Sequence, residues 1–196
     1  MSKNHYENPD ARTRAAKAQG YPARSVWKLE EIDKRVRLLK QGQRVLDLGA
    51  APGSWSLYAA SKVGSGGRVL AIDRNPILQV FPPNVQVALG DALTLETAEL
   101  STFAPYDVVL SDMAPNTTGS KAADQARSFE LFIRAVDVAK EVSVAGGAFV
   151  GKIFMSGDFQ AARAAVAAVY GKVQAIKPEG TRKISSELFL IGLHKR

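Results

Sequence analysis

Hydrophobic and polar positions along the chain fall into alternating rhythms. From Ser25, apolar residues recur at Val26, Leu29, Ile32, Val36 and Leu39, the spacing of one helical face, and Gly42 ends the run. "RVLDLGA" (44–50) reads as a short strand running into glycine, and "SWSLYAASKV" (54–63) as an amphipathic helix. "GRVLAIDR" (67–74), "NVQVALGD" (84–91) and "YDVVLSDMAP" (106–115) read as three more strands. A long helix is predicted over 122–143, a strand over "AFVGKIF" (148–154) and a helix over 159–171. "VQAIKP" (173–178) and "LFLIGLH" (188–194) close the chain as strands, antiparallel because no helix separates them. Strands that alternate with helices, each strand nearly all apolar, predict an α/β fold: a doubly wound, mostly parallel seven-stranded sheet with an antiparallel last strand and helices on both faces.

Residues 1–24 lack this periodicity and contain Gly20 and Pro22, so they read as a mobile basic arm ahead of a single domain over 25–196. The 196 residues are 46 % apolar, enough for one sizeable core. There is no cysteine, which excludes disulfides, thiolate chemistry and thiolate metal sites, and no metal site is expected. No apolar run resembles a secretory signal or reaches the roughly 20 residues of a membrane span. A cytoplasmic protein without a membrane partner is expected, and nothing demands more than a monomer. The net charge of +7 is uneven: residues 1–44 carry +6, residues 177–196 carry +3 and the centre carries −2. Two basic ends that meet in space would make a patch for a polyanion such as RNA. Arg12, Arg14, Lys17 and Arg24 of the arm, with Lys34, Arg35 and Arg37 of the first helix, are the candidates for phosphate contacts. The blander alternative is a solvated basic surface.

In sheets of this kind, ligands bind at the carboxyl ends of the strands. Four such ends carry an acid: Asp47, Asp73, Asp91 and Asp112. "DLGAAPGSW" (47–55) joins the first strand to its helix. Gly49 permits a tight turn and Gly53 a close approach of backbone to a ligand. The pattern is not G-x-G-x-x-G, and Pro52 removes a backbone donor, so a pyrophosphate cradle and an NAD-dependent dehydrogenase are disfavoured. Asp73 stands where an acid holds ribose hydroxyls, and Asp91 where one can accept from an exocyclic amine. The set suits a nucleoside without a pyrophosphate and points to S-adenosylmethionine. Singly, each strand-end acid has a plainer role as a turn or cap residue, and Trp55 alone is more often core than ligand.

Lys152 interrupts the apolar run "AFVGKIF", where an unpartnered ammonium is costly. If strands four, five and seven are neighbours, Asp112, Lys152 and Glu187 converge at one edge of the cofactor pocket, with Lys28 of the first helix nearby. Such a group could methylate a ribose hydroxyl, which is a poor nucleophile until its proton leaves. A lysine takes that proton only when neutral; burial and a second cation favour the neutral form, and carboxylates oppose it while orienting the group. Taken singly, Lys152 could be a sheet-edge lysine reaching solvent, Lys28 a solvated helix lysine and Glu187 an edge-strand charge. His5 and His194 carry no assigned role.

"ARSVWKLEEID", "VLDLGAAPGSWS", "LSDMAPN", "GKIF" and "ISSELFLIG" together resemble the FtsJ-type ribose 2′-O-methyltransferases, from about residue 10 to the end. That resemblance implies a Rossmann-like class I S-adenosylmethionine-dependent methyltransferase with a Lys-Asp-Lys-Glu tetrad. Here the tetrad is Lys28, Asp112, Lys152 and Glu187, with Lys152 as base. The implied cofactor contacts are Gly53, Trp55, Asp73, Asp91 and Asp112. The implied substrate is a uridine 2′-hydroxyl of 23S ribosomal RNA in the large subunit; related enzymes modify transfer RNA. The chain departs from the family pattern at Ser54, where a second glycine is usual, at Phe189, where tyrosine is common, and in "PEGTRKIS". An Asn/Asp-Pro-Pro-aromatic turn, expected of a base-amine methyltransferase, is replaced by "DMAPN". A non-catalytic RNA-binding assembly factor would have no need of Lys152.

Overall fold

The structure is a computed structural model and describes residues 11–116, 118–179 and 186–196. The first ten residues of the expected arm and residues 180–185 of "PEGTRKIS" lie outside the described residues. Among the described residues, thirteen elements follow in order: α1 (Ala11–Ala18), α2 (Val26–Val36), β1 (Arg44–Leu48), α3 (Ser54–Val63), β2 (Arg68–Asp73), β3 (Val85–Leu89), α4 (Thr97–Leu100), β4 (Tyr106–Ser111), α5 (Lys121–Val142), β5 (Ser143–Phe154), α6 (Phe159–Val169), β6 (Tyr170–Ile176) and β7 (Glu187–Lys195). The strands form one seven-stranded sheet in the order β3-β2-β1-β4-β5-β7-β6. β1 to β5 are mutually parallel, and β7 runs antiparallel to both β5 and β6, as the missing helix between the last strands requires.

Apolar side chains cover both faces of the sheet. Val45, Val69, Val108, Leu110, Val150, Phe189 and Ile191 pack against α2 and α3. Leu46, Leu48, Leu70, Ile72, Val109, Phe149 and Leu190 pack against α4, α5 and α6. Burial on both faces is why the strand sequences read as continuous apolar runs. α2 ends where Arg37 turns left-handed (φ 53) and donates its N–H to Asp33 O. The buried Asp33 carboxylate then accepts from Leu39 N and Tyr58 OH, both at 2.9 Å, and fastens the exit of α2 to α3.

One expectation is corrected. Residues 11–18 are not irregular but form α1, and they are docked. Ala16 is fully buried, and the Trp27 indole N–H donates to Arg12 O at 3.0 Å. The linker is fastened as well. The Ser54 hydroxyl accepts from Ala23 N at 2.8 Å and donates to Ala23 O. The side chain that departs from the family glycine therefore clips the entry of α2 to the start of α3.

Candidate active site

Strand parity decides which side chains meet. Val108 and Leu110 of β4, Val150 of β5 and Phe189 of β7 face α2 and α3. Side chains alternate along a strand, so Lys152 follows Val150 onto that face, Asp112 follows Leu110 just past β4, and Glu187 shares the face with Phe189. Register brings them level: Ser111 lies opposite Gly151, Lys152 opposite Phe189, and Phe154 opposite Glu187. Lys28 descends from α2 onto the same face.

Lys152 is buried, with 6 % of its surface exposed, and is not unpartnered. Its Nζ donates to Asp112 O at 2.6 Å and lies 3.0 Å from Asp112 Oδ1. That second contact is an ion contact without hydrogen-bond alignment, so Oδ1 is left with no hydrogen bond although it is buried. Lys28 Nζ donates to Glu187 Oε2 at 2.8 Å and stands 5.8 Å from the centroid of the Phe189 ring. A cation over an aromatic face is attracted by the ring quadrupole, so Phe189 helps hold Lys28 in place. Beyond the two-residue spacing of Phe189 from Glu187, nothing in the local sequence signals this role. Lys28, Asp112, Lys152 and Glu187 are thus two adjacent ion pairs on one face of the sheet.

Beside them opens a cavity of ≈ 550 Å³ at the carboxyl ends of β1, β2, β3 and β4. Gly49, Asp73, Asp91, Asp112 and Met113 are among its lining residues, so Asp112 belongs to both the cavity and the lysine pair. Gly49 is required there twice over. It has φ +75, and a Cβ would fall 2.6 Å from Met113 Cγ and 3.0 Å from the Met113 backbone. Asp73 closes a turn and also lines the cavity. Its carboxylate accepts from Ala51 N at 3.0 Å, and from Asn75 N and Nδ2 at 2.8 and 3.1 Å. Three donors use three of its roughly four lone-pair sites, which leaves one for a hydroxyl. Asp91 accepts from Leu93 N at 3.0 Å, a turn contact, while lining the cavity. Arg74 and Asn116, both lining, are joined across the cavity by a 2.9 Å hydrogen bond that sequence reasoning missed.

Gly53 and Trp55 do not line this cavity. The space where Gly53 would carry a Cβ is taken by Phe81 and Gln79, and its φ of +110 is what a glycine is needed for. Trp55 is core: its indole N–H donates to Ser25 O and its ring packs on Phe189 at 5.6 Å. Asp47 lies behind the cavity, fully buried. Its carboxyl is pushed up to about 7 by burial, against the hydrogen bond from Ser56, with the negative charges of Asp112 and Asp73 adding to the rise. The basic candidates lie elsewhere. Arg12, Arg14, Lys17, Lys34, Arg35 and Arg37 are exposed and Arg24 is half-buried. Lys34 pairs with Glu30, and Arg35 with Glu31, along α2.

The model of the FtsJ-like methyltransferase family matches residues 21–195. The chain belongs to that family. It is 64 % identical over 194 residues to the ribosomal RNA large subunit methyltransferase E of Sorangium cellulosum, covering 99 % of this chain and 92 % of that one. The enzyme of the same name from Bdellovibrio bacteriovorus is 48 % identical, with 97 % and 99 % covered. Among solved structures, a Plasmodium falciparum protein described as a ribosomal RNA methyltransferase superposes with a TM-score of 0.76 at 22 % identity, covering 90 % of this chain and 100 % of that one. The fibrillarin of Aeropyrum pernix, crystallised with S-adenosyl-L-methionine, superposes at 0.58 and 16 % identity, covering 79 % and 67 %; at that identity it shows the fold alone. These superpositions show the fold expected from the sequence.

The cavity of the methyltransferase fits S-adenosylmethionine. Asp73, Asp91, Asp112 and Glu130 line it against Arg74 and Arg127, so its carboxylates outnumber its guanidiniums. S-Adenosylmethionine brings two positive centres, sulfonium and ammonium, and one carboxylate. A net-acidic cavity attracts that charge and repels a pyrophosphate.

Proposed function

We propose that the chain transfers a methyl group from S-adenosylmethionine to the 2′-hydroxyl of a uridine in 23S ribosomal RNA of the large subunit. The observation that carries this reading is Lys152. It is buried, held against Asp112 at the rim of the cofactor cavity, with the Lys28–Glu187 pair beside it. Relatives 64 % and 53 % identical that are named ribosomal RNA large subunit methyltransferase E support the substrate class.

The cofactor supplies an electrophilic methyl on a sulfonium. The chain supplies the remainder. Asp73 holds the ribose of the cofactor and Asp91 accepts from its exocyclic amine. Asp112 Oδ1, left without a hydrogen bond, orients the substrate hydroxyl or Lys152 itself. Lys152 Nζ, in its neutral form, would take the hydroxyl proton as the O–C bond forms and the S–C bond breaks, its electron pair staying on sulfur. Glu187 and the Phe189 ring fix Lys28 on the same face of the sheet as Lys152. Positioning of the hydroxyl in line with the methyl contributes alongside proton removal.

Lys152→Ala should lower the methylation rate by about 10²–10⁴-fold while leaving affinity for S-adenosylhomocysteine unchanged. Full activity in that variant removes Lys152 from the base role. The substrate is tested with tritiated S-adenosylmethionine against naked 23S RNA, 50S subunits and transfer RNA from cells lacking the enzyme, followed by nucleoside digestion. Label in 2′-O-methyluridine of 23S RNA is expected. Label in transfer RNA alone keeps the chemistry and overturns the substrate.

A further inference from the structure

α5 forms one wall of the cavity through Arg127, Glu130 and Leu131. One turn further along, Arg134 does not line the cavity but lies beneath its floor. Its Nε donates to Ala92 O at 2.8 Å and its Nη2 to Leu95 O at 2.6 Å. Those carbonyls belong to one compact turn. Thr94 N and Leu95 N both donate to Asp91 O at 2.9 Å, and Leu93 N closes onto Asp91 Oδ1. Asp91, Ala92 and Leu93 of this turn line the cavity. The turn is seated from below by apolar contact: Ala92 is buried in the core, and Leu95 packs against that core and over Gly90.

A planar guanidinium presents its donors in a fixed fork, so it sets the separation and tilt of two carbonyls as a lysine cannot. Hydrogen bonds from a charged donor are also roughly twice as strong as neutral ones. Asp91, Ala92 and Leu93 face the cavity in which the cofactor would sit, while Arg134 holds the same turn through the carbonyls of Ala92 and Leu95. We propose that Arg134 is a positioning residue for cofactor recognition: by bracing the 91–95 turn from α5 it sets Asp91 at the height needed to accept from the exocyclic amine of adenine. This rests on the assignment of Asp91 as that acceptor.

The test uses the full chain and two ligands, S-adenosylhomocysteine and S-inosylhomocysteine, which lacks the amine, with dissociation constants measured by calorimetry. The unaltered protein should prefer the adenosyl ligand by about tenfold, the value of one hydrogen bond to a charged group. Arg134→Met, which keeps the apolar stem and removes the fork, should lose most of that preference by weakening the adenosyl ligand selectively. Arg134→Lys should fall between, and it serves if the methionine variant fails to fold. A merely structural arginine would weaken both ligands by one factor, and that result, or no change, overturns the proposal. Asp91→Ala separates the two claims. If Asp91→Ala abolishes the preference and Arg134→Met does not, Arg134 alone is misassigned. If Asp91→Ala leaves the preference intact, the acceptor assignment fails and takes the Arg134 proposal with it.

Discussion

Asp47 is fully buried, and its Oδ1 has no hydrogen-bond partner among the described residues. Ser56 OH donates to Oδ2 at 2.6 Å, but burial outweighs it and raises the carboxyl from 3.8 to about 7. Between about pH 4 and 7 the unfolded chain ionises Asp47 while the folded chain keeps its proton, so the folded state binds more protons and stability falls as pH rises. The full loss is on the order of 4 kcal/mol and is complete above about pH 7. Asparagine keeps an acceptor for Ser56 and cannot ionise. Asp47→Asn should therefore gain stability relative to the unaltered protein progressively from pH 4 to 7, then level off. Thermal unfolding across that range checks it, and a difference independent of pH would falsify the account. Sequence alone placed Asp47 at a strand end with three other acids but gave no hint that it lies behind the cavity. Parity puts Asp47 in step with Val45 on the face that α3 covers, the same face as Asp112; what separates them is depth, since Asp47 lies inside β1 while Asp112 stands past the end of β4. The same parity made Asp112, Lys152 and Glu187 legible, because three neighbouring strands in register converge whatever the loops do. Trp55 went the other way, since an aromatic beside a ligand loop and one in the core share the same sequence pattern.

At the scale of elements, the strands could be read because burial on both faces writes continuous apolar runs. α1 could not. "ARTRAAKA" buries only Ala16, and one alanine makes no periodic signal. What holds α1 and the following linker is polar: the indole of Trp27 on Arg12 O, and the Ser54 hydroxyl on both main-chain groups of Ala23. Such contacts reach across 15 and 31 residues and have no local signature. Ser54→Gly restores the residue usual in the family and removes the clip. It should cost about 1–2 kcal/mol, the penalty of leaving a main-chain donor unpaired, and speed hydrogen exchange at the Ala23 amide. Unaltered exchange at Ala23 would show that the hydroxyl does not hold the linker. Because α2 follows the linker and carries Lys28, the same variant should lower the methylation rate by a small factor without changing cofactor affinity.

At the scale of the whole molecule, most of the +7 charge sits on α1, α2 and their surroundings, on the side of the sheet that carries Lys28 and Lys152. If ribosomal RNA crosses this surface on its way to the cavity, the exposed cations should differ in value. Lys34 and Arg35 already face glutamates one turn back on α2, so a phosphate must compete for them. No ion pair with another described residue engages Arg12, Lys17 or Arg37. Counterions released from RNA set the dependence of affinity on salt, by about 0.7–0.9 in the logarithmic slope per phosphate neutralised. Arg12→Ala, Lys17→Ala and Arg37→Ala should each reduce the slope by about that amount, and together additively, since they touch no common partner. Lys34→Ala should leave the slope near that of the unaltered chain and weaken binding instead through the uncovered Glu30 carboxylate. RNA affinity measured from low to moderate salt for each variant decides it. Equal slopes for all five proteins would place the RNA path off this face. A slope lost in Lys34→Ala but kept in Arg12→Ala would mean that the α2 ion pairs open on binding, and that α2 rather than α1 guides the substrate to Lys152.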